Sequence, residues 1–175
     1  MNVFSFNVLG RAIMTMQKMD PQDRAIVAEL AGDPRMATAE LARRVGLSVP
    51  TVRDRVRRLG DSGVIRGYRL DVDPAALGYP VAAFVRVRPG PGQLPRIVEL
   101  AEQLPQVSEC HRITGEDCFL IKVHATGVDA FEEVLDRFLL HGQTTTSIIQ
   151  STPVPPRIPG LDGDDGPAGG AATTV

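Results

Sequence analysis

Ser48-Val49-Pro50-Thr51-Val52-Arg53-Asp54-Arg55-Val56-Arg57-Arg58-Leu59-Gly60 is the stretch on which the reading of this chain turns. At about 100° per residue, Val49, Val52, Val56 and Leu59 fall on one arc of a helix. Pro50, Thr51, Asp54, Arg57 and Arg58 occupy the opposite arc, with Arg53 and Arg55 on its flanks. Ser48 is placed to cap the helix, which runs through Leu59-Gly60. Such a helix buries an aliphatic stripe and turns guanidinium groups outward.

Upstream, Thr38 is expected to cap a second helix whose buried stripe is Leu41, Ala42 and Val45, ended by Gly46. Two short helices joined by a tight turn containing glycine form a helix-turn-helix. Before them, Asp20-Pro21 supplies an N-cap acid and a proline at the first helical position, with Asp23 in the first turn. Ile26, Val27 and Leu30 follow at helical spacing, and Gly32-Asp33-Pro34 stops that helix. Downstream, Val64 to Leu70 holds β-formers in partial alternation, read as a two-stranded wing or one strand leading out of it.

Charge supports this organisation. The whole chain carries −2, yet between Glu40 and Arg69 eight arginines (43, 44, 53, 55, 57, 58, 66, 69) face three acids (40, 54, 61). That segment is therefore +5 and the remainder −7, one basic block on an acidic protein. A recognition helix needs small polar residues at its start to enter the major groove, and arginines to bond guanine or neutralise phosphates. Ser48, Pro50, Thr51, Arg53 and Arg57 are expected near bases, with Arg55, Arg58 and Arg66 on phosphates, and Asp54 completes the DNA-binding set. The rival reading is a solvated arginine-rich face. Against it, only Asp54 is spaced to pair, with Arg57 or Arg58. Arg55 has a structural alternative, tying its helix to the first helix or the wing.

Beyond a hinge at Asp73 to Gly78, the remainder falls into two similar halves. Strands are expected at 81–88, 107–114, 118–125 and 145–151, and helices at 94–104 and 128–140. The order βαββαβ gives a ferredoxin-like sheet with both helices on one face. The fold class is thus α+β, an N-terminal winged helix-turn-helix followed by a ferredoxin-like βαββαβ domain. The expected divisions are a flexible extension at 1–18, the DNA-binding domain at 19–72, the hinge at 73–79, the second domain at 80–155 and a disordered tail at 156–175.

Bulk composition narrows the setting. At 175 residues and 43% hydrophobic content, the chain has material for two small packed domains. Its two cysteines, Cys110 and Cys118, sit in no metal or disulfide spacing, and no apolar run approaches the ~20 residues that span a bilayer. A cytoplasmic protein without a membrane partner is expected. No positive charge precedes the short apolar stretch near the N-terminus, which disfavours a signal peptide, and Met14, Met16 and Met19 offer alternative starts. The cysteines are read as small buried hydrophobes on adjacent strands.

Several of these segments together resemble the Lrp/AsnC regulators, the leucine-responsive or feast/famine proteins. They are Asp20 to Ile26, Ala39 to Ser48, Thr51 to Leu59, Ser62 to Ile65, Val107 to His111, Ile113 to Leu120 and Thr144 to Ile149. The likeness covers about Met19 to Pro155. It implies a transcription regulator whose C-terminal sheets pair into homodimers, often assembled into tetramers or octamers, on palindromic double-stranded DNA. It further implies an amino acid or related metabolite as effector, with no other cofactor, bound near the turn linking the second and third strands. Here that turn is Gly115, Glu116, Asp117 and Cys118, with Thr144, Thr145, Thr146 and Ser147 as a second wall. The family turn often reads Gly-x-Tyr-Asp, whereas Cys118 stands in the aspartate's place and Asp117 in the aromatic's. A shift of one residue along a strand sends a side chain to the opposite face, so the usual amine-binding carboxylate is displaced.

The enzyme rival is a sirohaem decarboxylase, since such proteins look like this family and the chain has His111, His124 and His141. A ligand-binding module without DNA binding is the other alternative. No catalytic triad, carboxylate pair, phosphate loop or metal spacing is present, and a non-enzyme is expected.

Overall fold

A computed structural model of the chain describes residues 19–161. The expected extension at 1–18 and the tail beyond 161 lie outside the described residues. Two compact units divide at Arg69, the second being Leu70–Pro155. This division falls just ahead of the expected hinge.

The first unit contains α1 (Pro21–Gly32), α2 (Thr38–Val45) and α3 (Val49–Asp61). The Asp20 side chain caps α1 by accepting from the Asp23 amide, and Pro21 is the first helical residue. Gly46, at φ 67°, ends α2 in the left-handed region where glycine has no Cβ penalty. Thr38 does not cap α2 as expected. Ala37 is the N-cap, without a side-chain bond, and Thr38 is the first helical residue. Ile26, Leu30, Leu41, Ala42, Val52 and Leu59 form the buried core, with Val45, Val49, Val56 and Ile65 packed on it.

The expected wing strand is absent. No strand occurs over 64–70 among the described residues. The chain instead closes the end of α3, where the Ile65 amide donates to the Leu59 carbonyl and the Gly63 amide to Gly60. With no partner strand alongside, the segment has no ladder to join.

In the second unit, Pro74–Leu77 makes one 3₁₀ turn. Then follow β1 (Val81–Pro89), α4 (Leu94–Gln103), β2 (Val107–Arg112), β3 (Phe119–Ala125), α5 (Val128–Leu139) and β4 (Gly142–Ile148). The antiparallel sheet has the order β2-β3-β1-β4, the ferredoxin-like arrangement. Ala83, Val85 and Val87 of β1 and Phe119, Ile121, Val123 and Ala125 of β3 pack against Ile97 of α4 and Phe131, Val134 and Phe138 of α5. Alternate residues, among them Phe84, Arg86, Leu120, Lys122 and His124, point to the uncovered face.

β4 starts three residues earlier than expected and ends at Ile148. Cys110 is exposed rather than buried, because β2 is the edge strand and the core reaches only Val107 on it. Cys110 pairs in register with Ile121, so the two cysteines are not cross-strand partners. Cys118 is partly buried against the core.

Candidate nucleic-acid interface and effector site

The valine stripe fixes which way α3 faces. Val52 and Leu59 are buried, while Pro50, Thr51, Arg53, Asp54, Arg57 and Arg58 are exposed. Ser48 caps the helix by accepting a hydrogen bond from the Thr51 amide. The exposed face is therefore the one the helical wheel assigns to the outside.

Its arginines are not equivalent. Arg57 pairs with Asp54 at 2.5 Å on the open surface, the one pairing expected from spacing. Arg53, Arg66 and Arg69 form no ion pair among the described residues, and all three are exposed. Arg55, expected on a phosphate or as a tie to the first helix, makes the tie: it donates to Asp20 at 2.6 Å, Asp23 at 2.7 Å and Gln22 at 2.6 Å. Arg58, also expected on a phosphate, donates to Asp23 at 3.1 Å.

On α2, Arg43 and Arg44 both bond Glu40, and Arg44 reaches Glu29 of α1 at 3.0 Å. These guanidiniums hold the Glu40 carboxyl at about 2, well below its ordinary value. Of the eight arginines in the basic block, five are thus engaged with acids of the chain. Sequence spacing foresaw the Asp54 pairing, did not name the local pairs of Glu40 with Arg43 and Arg44, and could not place Asp20, Asp23 and Glu29, whose partners lie far apart in the chain.

In the second unit the hairpin between β2 and β3 carries its acids toward β1. Glu116 pairs with Arg88, and Asp117 lies 3.8 Å from both Arg86 and Arg88. Cys118 packs toward the core side and Asp117 toward the arginines, as the one-residue displacement requires. Gly115 turns at φ 113°, a conformation open to glycine.

The second wall is split. Thr145 stands opposite Arg86 in register and Ser147 opposite Phe84, whereas Thr144 and Thr146 stand opposite Val87 and Val85 on the helix-covered side. Only Thr145 and Ser147 share a face with the arginines. Arg86 and Arg88 themselves were not singled out in the sequence, although their alternation with Val85 and Val87 marks them as the outward residues of a strand.

The three histidines are each engaged separately. His111 bonds Glu109, His124 bonds Ser108 and His141 bonds Gln93. Burial and the charge of Lys122 push the His124 imidazole below its usual range. No group of three His, Cys, Asp or Glu side chains is arranged to hold a metal among the described residues. Nor is any described helix long and apolar enough to cross a membrane.

Two family models match in succession, a winged helix-turn-helix DNA-binding domain over residues 19–66 and the Lrp/AsnC ligand-binding domain over 82–159. The chain belongs to the Lrp/AsnC family. It is a DNA-binding transcription regulator of that type. It is 35% identical to the transcriptional regulator LrpC of Bacillus subtilis, across 77% of this chain and 93% of the relative. LrpA of Mycobacterium tuberculosis is 36% identical, across 78% and 93% respectively.

Among solved Lrp/AsnC structures, B. subtilis LrpC superposes with a TM-score of 0.74, covering 77% of this chain and 96% of its own. A feast or famine regulatory protein of M. tuberculosis in complex with L-methionine is 36% identical, with a TM-score of 0.74 over 79% of this chain and 97% of that one. The helix-turn-helix matched by the first model comprises α2 and α3, and the hairpin with Arg86 and Arg88 falls within the second.

Proposed function

We propose that this Lrp/AsnC regulator reads a palindromic operator as a homodimer, in which Ser48, Pro50, Thr51, Arg53 and Arg57 meet bases and Arg66 meets phosphate. The carrying observation is the capped α3 helix, with Val52 and Leu59 buried and Thr51, Arg53 and Arg57 exposed. The uncovered sheet face with Phe84 and Leu120 pairs two copies, and larger assemblies of dimers follow from it. Dimeric heads call for half-sites about one helical turn apart, or a multiple of that.

The effector is an amino acid or related metabolite at the β2–β3 hairpin. Arg86 and Arg88 beside Glu116 and Asp117 present both signs of charge within a few ångströms, which suits a zwitterion. Asp117 takes the ammonium group and Arg86 the carboxylate, with Thr145 and Ser147 on the same face. The L-methionine complex of the M. tuberculosis relative supports this class of ligand. Effector binding shifts the balance of assemblies and so the spacing of the DNA-reading heads.

Fluorescence anisotropy with operator-like and scrambled duplexes tests the reading. A preference for the operator that weakens steeply with salt is expected. Calorimetric titration with L-methionine and other amino acids addresses the effector, and Asp117→Asn is expected to abolish the heat. Absence of any duplex preference at low salt, with amino acids supplied, overturns the reading.

A further inference from the structure

The N-terminus of α1 and the middle of α3 are joined by a charge cluster distinct from the outward arginines. Asp20 divides its two carboxylate oxygens, one accepting from the Asp23 amide at 2.7 Å as the cap of α1, the other from Arg55 at 2.6 Å. Asp23, the buried charged residue of the described core at 7% exposure, accepts from Arg55 and, more loosely, from Arg58. Gln22 accepts from the remaining arm of Arg55. The Arg55 side chain is 19% exposed, against 73% for Arg57 on the same helix. Arg55 is thus occupied on both terminal nitrogens by partners 32 to 35 residues away in sequence.

The aliphatic contact beside it has no comparable directionality. Val49, Val52 and Val56 form a smooth stripe that sets the depth of α3 in the core, but apolar packing alone tolerates small rotations about the helix axis. A planar guanidinium with several fixed donors does not tolerate them. Arg55 and Val52 are three residues apart, so the clamp and the packed stripe lie on adjoining sides of the helix. Any rotation that moved Thr51 and Arg53 relative to a base edge would pull Arg55 off Asp20 and Asp23.

We propose that Arg55 is a positioning residue for DNA recognition. Clamped on Asp20, Asp23 and Gln22, it fixes the angular setting of α3 and sharpens operator discrimination without touching DNA. This rests on the reading of α3 as the recognition helix. It reassigns Arg55 from the phosphate contact that its sequence position suggested.

The test compares Arg55→Lys, Asp20→Asn and Arg66→Ala in the full chain, by anisotropy on operator and scrambled duplexes across a salt series. Lysine keeps the charge but loses the fork, and asparagine keeps the α1 cap while removing one charge that faces Arg55. Arg55→Lys is expected to lose roughly tenfold in operator affinity, about 1.4 kcal/mol, with scrambled-duplex binding and the salt slope unchanged. Asp20→Asn is expected to shift discrimination in the same direction by less, and it carries the test should Arg55→Lys fail to fold. Arg66→Ala, at the proposed phosphate contact, should in contrast weaken both duplexes and reduce the slope by about 0.9. Equal loss on operator and scrambled duplexes in Arg55→Lys overturns the proposal, since a phosphate contact serves both duplexes alike. So does unchanged discrimination in whichever folded clamp variant is measured. If the unmodified protein shows no duplex preference, the reading of α3 itself fails, an outcome separable from failure of the clamp alone.

Discussion

Ser48 and Thr51 share two interactions at the head of α3, the Thr51 amide donating to Ser48 Oγ at 3.3 Å and the two hydroxyls standing 2.7 Å apart. The pair that satisfies the helix start is also one proposed above to meet a base edge. On that proposal, stability and recognition are coupled at this position.

Replacing the cap separates them. Ser48→Ala removes the acceptor for the Thr51 amide and should cost about 1 kcal/mol of stability, while Ser48→Gly should cost only a few tenths. Urea unfolding of both variants measures this. No loss in Ser48→Ala would mean that the side-chain bond does not stabilise the helix start.

Gly142 offers a second packing test. A Cβ at this position would collide with the Arg88 carbonyl and the backbone of Pro89, because β4 begins hard against the end of β1. Gly142→Ala should destabilise the second unit by about 1–3 kcal/mol. Gly127→Ala is the control, since no atom lies within 4 Å of a Cβ there and its φ of −174° is ordinary extended backbone. Thermal unfolding of the two variants should differ accordingly.

This glycine also shows where sequence reading stopped short. Gly142 and Gln143 have no β-forming character, so the sequence alone starts the strand at Thr145. Pairing with Pro89 and Arg88, 53 and 55 residues earlier, extends it. The helices, in contrast, were legible because their ends are written locally, in Asp20-Pro21, Gly46 and Ser48. A helical wheel places Arg53 and Arg55 alike on the flanks. Only the arrival of Asp20, Gln22 and Asp23 from another helix separates the free arginine from the clamped one. The hairpin acids were visible as a turn, but their partners Arg86 and Arg88 belong to a different strand. The wing failed for the opposite reason, its β-formers having no strand to pair with.

Acid sensitivity is expected in the first unit. Hydrogen bonds from Arg43 and Arg44 hold Glu40 at about 2, and Arg55 holds Asp20 below its ordinary value. Both carboxyls have depressed values in the folded state, so their contribution is present above the unfolded values near 4 and is lost as pH falls toward 2. The urea midpoint should decline between pH 5 and pH 3, and Glu40→Gln should flatten that decline. An identical pH profile in Glu40→Gln would show that the Arg43 and Arg44 pairs contribute nothing, as many exposed pairs do.

The ion-pair pattern also bounds the salt dependence of DNA binding. If all eight arginines of the basic block met phosphates, each head would contribute a slope of about −7. Arg43, Arg44, Arg55 and Arg58 are held by Glu40, Glu29, Asp20 and Asp23, and breaking those contacts would leave acids unpaired. Arg53, Arg66 and Arg69 remain as cations free to displace counterions at the duplex surface, giving about −2.7 per head, or about −3.6 if DNA draws Arg57 away from Asp54. Measured on a half-site at several salt concentrations, the slope should therefore fall between about −2.5 and −4. Asp54→Asn should leave Arg57 without its competitor and move binding toward the tighter limit. A slope near −7 would mean that the ion pairs open on the duplex, and the paired arginines would then count as contacts after all.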